Sequence, residues 1–114
     1  MTNMLSEIEV FSGDTLVLAV TTKNDRTGNT WSLIDSDISW VLARSASDTP
    51  ILTKEIGSGI TVTDAQYGEF EVKVDPVDTE ALDGRFVHEA QVTDQDGDVS
   101  TIFSGTLHII EDTA

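Results

Sequence analysis

The chain has 114 residues, no cysteine, and a formal net charge of −15 from 21 acidic and six basic side chains. That length suits a single domain spanning 1–114, and the missing cysteine excludes disulfides, thiolate metal sites and a cysteine nucleophile. The negative field repels nucleic-acid phosphates and anionic lipid, which argues against nucleic acid and membrane as partners.

Met1 to Ser6 lack the basic and apolar stretches of a signal peptide, so synthesis in the host cytoplasm is expected, with release open to it as part of a particle. No apolar run approaches the roughly 18 residues of a membrane span. Fifteen Thr, thirteen Asp against eight Glu and only three Lys lean towards a salt-loving host.

In chain order, a first strand is expected near 5–11, closed by Ser12-Gly13-Asp14, and a second near 14–21, where Leu16, Leu18 and Val20 alternate with Val17, Ala19 and Thr21. Asn24 to Asn29 forms a polar loop, and Trp31 follows it. This Trp either plugs the open end of the fold or serves as an exposed aromatic anchor for a partner. A third strand places Ile38, Trp40 and Leu42 on one face, with Val41 and Ala43 on the other. A fourth, near 51–56, ends at Gly57-Ser58-Gly59. Phe70, Val72 and Val74 alternate with Glu69, Glu71 and Lys73 in a fifth. Val77 to Leu82 predicts a single helical turn after Pro76, with Asp78 and Thr79 as caps. Asp96-Gly97 is a tight-turn pair between two long strands, about 85–94 and 98–110. The tail from Glu111 to Ala114 is expected to fray.

Seven short strands with turn signals about every ten residues predict an all-β, immunoglobulin-like β-sandwich of antiparallel strands. Shared parity predicts a core of Leu16, Leu18, Trp40, Leu42, Phe70, Val72, Phe86, Ala90, Phe103 and Leu107. His88 shares the inward parity of Phe86 and Ala90. His108 shares that of Ile102 and Ile110 and is expected to face out. The outward residues Val41, Ala43, Val87, Ile102 and Ile110 make a candidate protein-contact face, because they are apolar in a highly charged protein.

Motifs for chemistry are missing. Asp94, Asp96 and Asp98 are spaced like the start of a calcium loop, but Val99 stands where its Gly belongs and Gly105 where its Glu belongs. The plain reading is an acidic hairpin tip, with a weak cation site beside Asp35 or Asp37 as the sharper one. Among 21 acids no carboxylate pair is marked out for glycoside chemistry. No phosphate-binding Gly loop or His–Glu metal motif occurs. The expectation is a non-enzyme with no catalytic residue, cofactor or metal.

Leu82-Asp83-Gly84-Arg85-Phe86-Val87-His88-Glu89-Ala90 leads into Thr93-Asp94-Gln95-Asp96-Gly97-Asp98-Val99, then Ser104-Gly105-Thr106-Leu107 and Glu111-Asp112-Thr113. Gly13-Asp14-Thr15, Ile38-Ser39-Trp40 and Gly68-Glu69-Phe70 lie upstream. Together these resemble the immunoglobulin-like domain family of tailed-phage virion proteins, similar to the N-terminal domain of phage upper-baseplate proteins. Two features depart from it: Phe86 replaces an aromatic hydroxyl, and the chain ends where baseplate proteins continue. The resemblance implies a virion structural protein, a head decoration or a tail or baseplate component, and the acidic composition adds a halophilic archaeon as the expected host. Its partners would be other virion proteins and copies of itself, met through sheet edges, loops or a face. The alternative is a free-standing adhesion or carbohydrate-binding β-sandwich, for which only Trp31 and Tyr67 are available as exposed aromatics.

Overall fold

The computed structural model describes residues 3–4, 7–22 and 31–111. Runs with period-two alternation become strands: β1 (Asn3–Met4), β2 (Ile8–Phe11), β3 (Leu16–Thr21), β4 (Asp37–Ala43), β5 (Leu52–Ile56), β6 (Gly59–Asp64), β7 (Glu69–Val74), β8 (Gly84–Thr93) and β9 (Val99–Ile110). One turn of helix, α1 (Pro76–Thr79), separates β7 from β8. It starts at Pro76, whose missing N–H costs nothing at that position. Asp75, one residue upstream, is its N-cap, so the expected caps Asp78 and Thr79 lie inside the turn. The expected tail beyond Glu111 and the loop from Asn24 to Asn29 lie outside the described residues.

The predicted two-sheet, all-antiparallel immunoglobulin-like sandwich does not form. The strands make one mixed sheet in the order β1-β9-β8-β4-β5-β6-β7-β3, with β2 following β1 along the same edge of β9. It is eight strands wide and curls until it is nearly closed into a barrel. β1 and β2 run parallel to β9, and β5 runs parallel to β6; the other pairs are antiparallel.

Two local features explain the difference. The turn after β2 hands the chain across the fold: Ser12 N–H donates to Ile110 O (2.8 Å), keeping β2 on β9, and Asp14 N–H donates to Phe11 O (3.1 Å) as the chain leaves for β3. The second feature is the corner between β5 and β6. Gly57 and Gly59 both hold positive φ (85° and 103°), a region that L side chains rarely enter. The chain bends there without reversing, so Glu55 and Ile56 sit beside Gly59 and Ile60 in parallel register. Bonds from Glu55 N–H to Ser58 O (3.1 Å) and from Gly57 N–H to Ile60 O (3.1 Å) bridge the corner. Where the sequence predicts a strand end, the backbone ladder carries on and joins the two halves. β6 is the strand that the turn signal hides; its alternating β-branched Ile60, Thr61, Val62 and Thr63 are the trace of it.

Both halves feed one core. Leu18, Ile60, Phe70, Val72 and Val74 meet Trp40, Leu42, Phe86, Ala90, Phe103, Leu107 and Ile109, all buried. Nine of the ten predicted core residues are buried, and Leu16 packs partly buried against the same cluster. Each large aliphatic or aromatic side chain removed from water contributes about 1.5–3 kcal/mol before chain entropy is counted. No helix among the described residues is long and apolar enough to cross a membrane.

Candidate functional site

On β4 and β8 the alternation turns Ile38, Trp40, Leu42, Phe86, His88, Ala90 and Val92 inward, and so aims Val41, Val87, Glu89 and Gln91 outward. Cross-strand register then decides what the outer face offers. Val41 faces Glu89, which in turn faces Ser104, so a carboxylate interrupts the row. Val87 lies between Ala43 and Thr106. Further along, Arg85 pairs with His108, and His108 with Glu9. An ion pair, Arg85 Nε to Glu7 Oε1 at 2.7 Å, ties that end together, and His108 Nδ1 stands 3.5 Å from Glu9 Oε2. Ile110 lies at the far end against Phe11.

The five residues of the expected contact face are therefore not one patch. Val41 and Val87 are diagonal neighbours, and Ile110 stands apart. Ala43 and Ile102 are buried. Ile102 fails for a specific reason. Ala90 pairs with Phe103 but Gln91 with Thr101, so Ile102 is the extra residue of a bulge. Parity shifts there, and both Ile102 and Phe103 turn inward.

Trp31 belongs to a backbone clip at one end of the barrel. Its N–H donates to Thr22 O (3.1 Å), and the Thr22 hydroxyl reaches back to Trp31 O (2.8 Å) and to Gly68 O (3.1 Å). Thr22 N–H donates to Gly68 O as well (2.9 Å). Gly68 holds φ +72°, and a Cβ there would collide with the Thr22 hydroxyl and Trp31 O. The Trp31 side chain is partly buried against the core, which fits the plug better than the anchor. Of the two aromatics the carbohydrate-binding alternative needs, only Tyr67 stays exposed.

A cleft beside the clip is lined by Trp31, Ser32, Ile34, Ser36, Asp94, Gln95 and Asp96. Its acids come from the β8–β9 tip. Asp94 Oδ1 there accepts the N–H groups of Asp96 (2.9 Å) and Asp98 (3.0 Å), so the carboxylate caps its own turn. Among the described residues no group of three or more His, Asp or Glu is placed to hold a metal ion.

His88 is fully buried. Trp40 Nε1–H donates to its Nδ1 (3.2 Å), and the ring packs edge-on to Phe103 with centroids 5.3 Å apart. The accepted bond requires an unprotonated Nδ1, and Nε2 has no hydrogen-bond partner among the described residues. Burial pushes the imidazole down to about 4, because the charged form would have to leave water. This is a core polar pair, as the inward parity implies.

Three further contacts were beyond sequence reasoning. Lys54 Nζ meets Asp78 Oδ2 at 2.8 Å, and the same oxygen accepts Asp75 N–H at 2.8 Å. Burial works to raise the Asp78 carboxyl, but these bonds and the Lys54 charge hold it below the ordinary range. Gly13 N–H donates to the buried Thr79 hydroxyl (2.9 Å), fastening α1 to the β2–β3 turn. The Arg44 guanidinium lies 5.2 Å from the Phe86 ring centroid, capping the ring that lacks the hydroxyl. Apart from Gly13, Asp75 and Gly59, whose Cβ would strike the Lys54 stem, no local pattern announces them.

No protein-family model matches the sequence, and comparison with curated proteins returns no match.

Proposed function

We propose that the chain is a non-enzymatic structural protein of a tailed-virus particle, a head decoration or a tail or baseplate component, which docks on other virion proteins and on copies of itself. The observation that carries this reading is where the residues of the virion-protein pattern fall. Gly13, Gly68, Gly84 and Gly97 all hold positive φ in turns or at strand starts, and Phe86 and Leu107 lie in the core. They act as framework residues and are not gathered around one chemical centre, although the sheet they frame is a single curled mixed one and not the sandwich of that family. The net charge of −15 also favours protein partners over nucleic acid or anionic lipid. A halophilic host is part of the proposal. Molar salt screens the self-repulsion, and the melting temperature is expected to climb as NaCl rises into the molar range; a flat or falling trend would count against such a host.

The deciding experiment is mass spectrometry of purified particles. The chain should be present at a copy number that matches a head or tail symmetry. Its absence from particles made by cells that express it would overturn the proposal.

A further inference from the structure

The edges of the sheet are treated unequally. β9 is covered by β1 and β2, whereas among the described residues nothing pairs with the outer side of β3. The ladder between β3 and β7 sets which groups are left over. Thr22 N–H bonds to Gly68 O, so the pair Thr22–Gly68 lies in a hydrogen-bonded position. Antiparallel pairs alternate between bonded and non-bonded, so Val20, Leu18 and Leu16 are bonded to Phe70, Val72 and Val74. The N–H and C=O groups of Val17, Ala19 and Thr21 therefore point to the open side.

Such edges are normally blunted by charge, proline or a bulge. β3 has none of these: Leu-Val-Leu-Ala-Val-Thr carries no charge in a chain of net −15, and its pairing runs without a break. The inward side chains Leu16 and Val20 are only partly buried, so the rim of the core lies open along this strand, and Val17 is 52% exposed outside. One strand inward, the outer face carries Glu69 and Glu71 against Lys73.

We propose that the β3 edge is a docking site for an extended segment of a basic partner protein, which adds as a strand. Three backbone residues supply its hydrogen bonds. Apolar side chains of the added strand cover Leu16, Leu18 and Val20, and alternate Lys or Arg side chains lie beside Val17, Ala19 and Thr21, toward Glu69 and Glu71. Charge selects this occupant over a second copy, which would bring another −15 to the same edge. The inference rests on edge geometry and not on the virion reading, and purified chain suffices to test it.

The probe is a capped heptapeptide of alternating Lys and Val, titrated into the full chain at low salt and followed by calorimetry and amide hydrogen exchange. Binding is expected to slow exchange at Val17, Ala19 and Thr21, and to weaken with salt. Ala19→Pro removes an N–H that makes no bond to β7, so it should weaken binding about tenfold or more while the fold survives. If that variant does not fold, Glu69→Lys with Glu71→Lys serves instead and should also weaken binding. Equal binding by wild type and variant, equal binding of a Glu–Val peptide, or no peptide binding would overturn the proposal. So would a wild-type dimer in sedimentation that Ala19→Pro returns to monomer, since a second copy would then hold the edge.

Discussion

In the β4–β8–β9 half, strands of seven, ten and twelve residues enclose Trp40 and His88, and the outer face is crossed by polar rows and the Arg85–Glu7 ion pair. Its neighbours on both sides are strands: β5 beyond β4, and β1 with β2 beyond β9. In the β6–β7–β3 half the strands have six residues each, the core side chains are aliphatic apart from Phe70, and the last strand ends the sheet. In the first half every strand is flanked by strands on both sides. In the second, no strand among the described residues takes up the outward backbone donors and acceptors of β3, which lie beside apolar side chains. Full burial at the centre of both halves thus coexists with unequal readiness to meet a partner, because burial depends on the faces of a sheet and recognition here on its edge.

Substitutions can break this contrast. Trp40→Ala should have the largest effect, a loss of about 3–5 kcal/mol in urea unfolding, through the cavity and the lost donor to His88. Val17→Ala on the outer side of β3 should stay within about 0.5 kcal/mol. Comparable losses at the two sites would show that the halves are not distinguished in this way.

Next in size is an acid effect confined to the long-strand half. The His88 imidazole has a folded value of about 4 against 6.5 for an unperturbed histidine. As pH falls below 6.5 the unfolded chain takes up a proton that the folded chain refuses, so stability drops until about pH 4, by up to about 3 kcal/mol. His88→Gln keeps an acceptor for Trp40 and removes the titration. The difference between wild-type and variant unfolding free energies should therefore change across this window and be flat above pH 7. An unchanging difference would mean that the imidazole titrates normally.

Gly68→Ala tests the clip that links β7 to the segment bearing Trp31. Positive φ and the collision with Thr22 and Trp31 should cost about 1–3 kcal/mol, and a Trp fluorescence change in the folded state should accompany it. Unaltered stability would mean that the clip is not a constraint. Smaller than the cost of Gly68→Ala is the expected effect of Val41→Glu. Its side chain stands outside, beside Glu89, so the change should stay near 0.5 kcal/mol. A much larger loss would show that Val41 is covered after all.

Most strands, β6 excepted, the inward parity of Trp40, Phe86 and His88, and the Asp96-Gly97 turn were legible because each rests on local alternation or turn chemistry. The candidate face was legible only in part. Parity read Val41, Val87 and Ile110 correctly as not fully buried, but it cannot see the bulge that turns Ile102 inward or the burial of Ala43 near the end of β4. Nor can it place Glu89 between Val41 and Ser104, since register is a relation between strands. The Lys54–Asp78 pair, 24 residues apart, is hidden for the same reason.

By itself the sequence determined that the chain is a β-rich, acidic domain with one buried Trp-centred core, since period-two alternation and net charge are properties of the chain read one residue at a time. Only the tertiary structure decided that the strands form a single curled sheet, that β2 joins β9 in parallel, and that β3 is left at the edge. Those outcomes depend on what happens at two turns. At Gly57–Gly59 left-handed backbone continues the ladder instead of ending it, and at Ser12 the chain closes the ladder of β2 on β9 with a bond to Ile110, nearly a hundred residues away, before it leaves for β3.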